Sequence, residues 1–163
     1  MATVKFKGNE VHTCGELPEV GTQAHDFALA GQDLGEVRLS DYRGKRVVLN
    51  IFPSLDTVTC AMSVRKFNKW VSEKENTVVI CISKDLPFAQ KRFCGAEGLE
   101  NVITASDFRT LNFAHDYGVL LINGALRGLM TRAVIGIDET GKVVYSQLVE
   151  EITEEPSYDI NVF

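Results

Sequence analysis

The 163-residue chain has only four cysteines, at 14, 60, 81 and 94, with no CxxC pair and no paired Cys/His spacing. Those absences exclude a zinc-ribbon type of site and a disulfide-stapled fold, so each cysteine is judged by its own surroundings. His12, His25 and His115 share no metal-ligand or triad spacing and are read as surface or hydrogen-bonded side chains. Cationic runs are missing too: Lys and Arg number 17 against 22 Asp and Glu, giving a net charge of -5. With no Lys/Arg cluster interleaved with aromatics to offset that charge, nucleic acid is not an expected partner. Residues 1–10 alternate apolar side chains with Lys and Gly and lack the unbroken apolar stretch of a secretory leader. No apolar run approaches the roughly 20 residues that span a bilayer. Even the run at 47–52 is interrupted by Asn50. The expectation is a soluble, cytoplasmic protein with no membrane partner.

What is present is a hydrophobic fraction of 45%, enough for one sizeable core and one domain over residues 1–163, without internal repeats or low-complexity segments. Short apolar runs at 4–6 and 10–13 flank Gly8-Asn9 and predict a β-hairpin. A second hairpin is expected from 27–29 and 37–39. The β-branched run at 47–52 reads as a central strand that stops at Pro53. From Thr59 onward, Val64, Phe67, Trp70 and Val71 recur at helical spacing, with Arg65, Lys66, Asn68 and Lys69 between them. A strand at 77–82, a helix at 87–94 with Pro87 in its first turn, and a strand at 101–104 continue the alternation. A helical patch at 111–117 ends near Gly118, and strands at 133–137 and 142–148 close as an antiparallel pair. The two glycines within 120–129 suggest a surface loop, and the acidic stretch at 150–155 is expected to be solvated. This pattern predicts an α/β, thioredoxin-like fold: a mixed central sheet flanked by helices, preceded by an N-terminal β-hairpin.

Cys60 follows a strand and Pro53 and opens a helix, so its sulfur falls among unpaired backbone N–H groups at the positive end of the helix dipole. Such a place favours thiolate, the nucleophilic form of cysteine, and Arg65 and Lys66 are cations close in sequence. The competing reading is a small buried hydrophobe. Thr57, three positions earlier, suits either a helix N-cap or a hydrogen bond to the sulfur or a bound oxygen, with spacing favouring the cap. Asp56 is read as a loop-capping residue, because a carboxylate beside a thiolate would oppose its formation. On residue type and position alone, Cys94 is a structural cysteine, Cys81 is core packing, Cys14 is incidental or a surface thiol, and Arg132 is a strand-edge residue.

The run Pro53-Ser54-Leu55-Asp56-Thr57-Val58-Thr59-Cys60 resembles the PxxxTxxC active-site loop of peroxiredoxins. The flanking Val48-Leu49-Asn50-Ile51-Phe52, the run Ser63-Val64-Arg65-Lys66-Phe67-Asn68 and residues 85–98 are similar to the bacterial thiol peroxidase branch, whose members are atypical 2-Cys peroxiredoxins. The resemblance extends from the N-terminal hairpin through Thr153. It implies Cys60 as peroxidatic cysteine, Cys94 as resolving cysteine, Thr57 and Pro53 as active-site loop residues, and Arg132 as the cationic neighbour of the sulfur. It further implies reduction of hydrogen peroxide and organic hydroperoxides, a Cys60–Cys94 intramolecular disulfide, thioredoxin as reductant, a homodimer, no cofactor or metal, and a C-terminal helix, short here. The alternative is a non-enzymatic redox sensor using the same cysteine pair. A CxxC disulfide reductase is excluded by the missing motif, and a cysteine hydrolase finds no histidine near Cys60 in sequence.

Overall fold

The computed structural model describes residues 1–161. Strands β1 (Thr3–Phe6) and β2 (Asn9–His12) form the first hairpin. Its turn is Lys7-Gly8, one residue earlier than the sequence suggested, with φ of 51° and 82° at the two positions. Those positive angles are the ones a tight two-residue hairpin turn demands. The remaining strands are β3 (Ala28–Ala30), β4 (Glu36–Arg38), β5 (Arg46–Ile51), β6 (Thr77–Ser83), β7 (Ile103–Ser106), β8 (Ala133–Ile137) and β9 (Val143–Leu148). They form a single seven-stranded sheet in the order β4-β3-β7-β6-β5-β8-β9. Strands β5, β6 and β7 run parallel, and β8 and β9 close the sheet antiparallel.

Among the described residues three α-helices complete the layers: α1 (Val58–Ser72), α2 (Pro87–Glu97) and α3 (Asn112–Asp116). Alternation along β5 decides which face each packs on. Val47, Leu49 and Ile51 join Phe113, Ala114 and Tyr117 of the α3 region, whereas Val48 joins Cys60, Val64 and Phe67 of α1. This is the α/β, thioredoxin-like layering expected, with helices on both faces of a mixed sheet. No helix among the described residues is long and apolar enough to cross a membrane.

Three elements depart from the sequence reading. Strand β7 begins at Ile103 because the backbone N–H groups of Asn101 and Val102 donate to Oδ1 of Asn68 on α1, at 2.8 and 3.2 Å, instead of entering the ladder. In the expected surface loop at 120–129, Leu120 and Leu121 are buried, because Leu121 bridges Thr13 and Leu120 bridges Met130. The expected C-terminal helix is absent from the described residues. After β9 the chain runs back over α1 in irregular form, held by a Lys66–Glu155 ion pair at 2.9 Å and by Tyr158 against Phe67.

Cys81 lies in the middle of β6 opposite Asn50 and is fully buried. Burial pushes its thiol from the ordinary 9.0 up to about 12, and the hydrogen bond from Asn50 only partly opposes this. The folded state therefore binds the proton more tightly than the unfolded chain. The resulting stabilisation is complete below pH 9 and is lost as pH rises towards 12. Urea unfolding of the reduced protein is expected to show stability falling as pH rises through that window, with Cys81 one contributor beside Cys94, Tyr117 and Tyr158, which burial also raises. Cys81→Ala should make the fall shallower; an unchanged slope would refute the assignment.

Candidate active site

Phe52 donates the last ladder bond from the end of β5, to Ile82 O at 3.2 Å, and Pro53, which has no N–H, turns the chain away from the sheet. The loop that follows is tied to itself. Backbone N and Oγ1 of Thr57 both donate to the Ser54 carbonyl, at 3.2 and 3.0 Å, and Asp56 N donates to Ser54 Oγ at 3.1 Å. Thr57 is the N-cap of α1 by backbone conformation, yet its hydroxyl makes no cap hydrogen bond to the helix and none to the sulfur. Its backbone thus occupies the cap position that spacing favoured, while its hydroxyl closes the loop. Asp56 does not cap the loop either: its exposed carboxylate faces Arg92 at 3.9 Å.

Cys60 falls in the first turn of α1 and is fully buried. Arg132 stands one residue before β8, and because Ala133 pairs with Ile51, the strand pairing delivers it to the same end of the sheet as the start of α1. Its Nη2 lies 3.2 Å from Cys60 Sγ and its Nε donates to Ile152 O at 2.9 Å. Nη1 is buried without a hydrogen-bond partner. Among the described residues no carboxylate is hydrogen-bonded to this fully buried guanidinium, although its charge reaches Glu155, and the sulfur is the group its Nη2 meets directly, so the arrangement suits negative charge there. Arg65 and Lys66, nearer in sequence, pair instead with Glu97 and Glu155.

Cys60, Arg132, Pro53 and Thr57 line one cleft of about 420 Å³. Its walls are mainly apolar, from Phe6 of the first hairpin, Leu126 and Leu129 of the 122–129 loop, Val58 and Ile152. Neither the hairpin nor the loop carries a signal in the sequence that ties it to the site. Cys94 opens elsewhere, on a groove with Gln32, Lys91 and Leu99, and all four cysteines are free. Burial raises the Cys94 thiol above its ordinary value, and a hydrogen bond from Gln32 acts the other way. A further polar residue, Asp85, was not singled out from sequence. Its carboxylate accepts Ser54 Oγ and Leu55 N, each at 2.8 Å.

The fold and the pairing of a helix-start cysteine with a buried arginine agree with the resemblance to peroxiredoxins. Residues 19–161 match the family described as Redoxin. The chain is 55% identical to the thiol peroxidase of Corynebacterium glutamicum, over 98% of this chain and 96% of that one. It is 52% identical to the thiol peroxidase of Mycobacterium bovis, over 98% and 95%. The peroxiredoxin-like protein from Aquifex aeolicus superposes with a TM-score of 0.92 at 45% identity, covering 98% of this chain and 92% of that one. The thiol peroxidase from Chromobacterium violaceum shares the fold with a TM-score of 0.89 at 21% identity, covering 98% and 91%. The chain belongs to the redoxin family, in its thiol peroxidase branch, and is a peroxiredoxin-type oxidoreductase.

Proposed function

We propose that Cys60 reduces hydrogen peroxide and organic hydroperoxides, alkyl and lipid ones included, and that Cys94 resolves the oxidised sulfur. The observation that carries this reading is the 3.2 Å contact between Cys60 Sγ and the buried Arg132 guanidinium. The thiolate attacks the terminal peroxide oxygen; an S–O bond forms as O–O breaks, leaving sulfenic acid and an alkoxide or hydroxide that takes a proton from water. The unpartnered Nη1 of Arg132 is the donor left for the oxygen on which charge develops. Apolar walls favour the organic part of a hydroperoxide through burial of its hydrocarbon. Pro53 and Thr57 hold the loop that seats the sulfur.

The two cysteines open on separate hollows, while a disulfide needs Cα atoms within about 7 Å. In this reading resolution proceeds by local unwinding of the first turn of α1 and of the Cys94 region of α2. Thioredoxin, acting as external dithiol in the cytoplasm, then reduces the bridge by thiol exchange, and the working unit is a homodimer. Hydroperoxide consumption coupled to thioredoxin tests the cycle. Cys94→Ser is expected to complete one turnover per chain and stop with Cys60 as a sulfenic acid that a dimedone probe captures, with no intramolecular disulfide by mass spectrometry. Sustained thioredoxin-coupled turnover by Cys94→Ser at the wild-type rate would remove Cys94 from the mechanism.

A further inference from the structure

Asp85 sits between the end of β6 and the N-cap of α2, the helix that carries Cys94. Its carboxylate nevertheless serves the loop of Cys60. Oδ1 accepts Ser54 Oγ at 2.8 Å, and Oδ2 accepts Leu55 N at 2.8 Å together with Ser83 Oγ at 2.6 Å. Its own carbonyl accepts Ser106 Oγ from the end of β7. One residue thereby joins the Cys60 loop, two strand ends and the root of the Cys94 helix. Ser54 is in turn the acceptor for both Thr57 donors, so the lock reaches the residue from which α1 starts.

We propose that Asp85 is the positioning residue that holds the Cys60 loop closed for peroxide attack and whose release is coupled to movement of the Cys94 helix. The inference rests on the roles given to Cys60 and Cys94 above. Attack uses the closed loop, in which the sulfur meets Arg132 at 3.2 Å. Resolution needs it open: Cys94 Sγ gives up its proton and attacks the Cys60 sulfenic sulfur, S–S forms, S–O breaks, and the departing hydroxide leaves with that proton as water. Charge-assisted hydrogen bonds to a carboxylate are the stronger kind, so their loss shifts the balance between the two steps.

Rapid-quench kinetics on Asp85→Ala, Asp85→Asn and the parent separate the steps. Sulfenic acid formation is expected to slow about tenfold in Asp85→Ala, the cost of roughly one charge-assisted hydrogen bond. Disulfide formation should proceed at the parental rate or faster, with less sulfinic acid at high peroxide. Asp85→Asn, which keeps one acceptor oxygen, should fall between. Ser54→Ala removes the Oδ1 bond together with the Asp56 N–Ser54 Oγ bond inside the loop and leaves the Oδ2 bonds in place, so it should move both steps in the same directions if Asp85→Ala does not fold. Equal slowing of both steps, or no change in their ratio, would overturn the inference while a working parent leaves the peroxidase reading intact. A parent that leaves hydroperoxide untouched would sink both.

Discussion

Cys60→Ser is expected to reduce hydroperoxide consumption to the uncatalysed background, a loss of roughly 10⁴-fold or more in kcat/KM. The substitution is nearly isosteric in a fully buried position, so the loop, the helix and the apolar cleft remain in place. What disappears is the nucleophile. A serine hydroxyl does not ionise near neutral pH, and no histidine lies among the residues lining the cleft to take its proton. The helix start and Arg132 stabilise an anion that must already exist. Steady-state peroxide consumption, with thioredoxin or a small dithiol as reductant, checks the rate, and circular dichroism checks the fold. Native spectra with parental turnover would end the assignment of Cys60.

Cys60 was legible in the sequence because everything that announces it is local: a strand, Pro53, Thr57 and a helix start within a few residues. The same locality placed Thr57 at the N-cap but did not fix the partner of its hydroxyl. Spacing shows which groups lie within reach of a hydroxyl, and the Ser54 carbonyl was one acceptor among several. Arg65 and Lys66 were plausible cations by proximity, but the helix turns them towards Glu97 and Glu155. Arg132 could be placed only through the resemblance, since a contact across 72 residues depends on β8 pairing beside β5. Asp85 left no signal because its partners, Ser54 and Leu55, lie 31 and 30 residues away and meet it only once β5 and β6 are parallel neighbours. The strands were readable from their β-branched runs. Their ends were not, as at β7, where a side chain of α1 captures two backbone donors.

Arg132→Met should separate catalysis from stability more sharply than any other change. Methionine fills much of the same space without a charge, so the variant gives up the charge-assisted hydrogen bond to Ile152 O, about 2 kcal/mol, but also sheds the cost of desolvating a fully buried guanidinium. These contributions oppose, and the melting temperature should move by only a few degrees. Catalysis has no such compensation. The sulfur loses the donor at 3.2 Å, and the unpartnered Nη1 is gone from the place where the leaving oxygen gathers charge. Loss of one preorganised donor to a developing anion typically costs 10²–10³-fold, and here two leave together, so kcat/KM is expected to fall about 10³-fold. Arg132→Lys should recover only part of this, because one ammonium cannot reproduce the fixed fork that reaches Ile152 O and Sγ at once. Stopped-flow measurement of sulfenic acid formation, paired with thermal unfolding of the same samples, reads both quantities. A rate within tenfold of the parent in a folded Arg132→Met protein would show that the guanidinium is a structural filler and that the helix start alone activates Cys60.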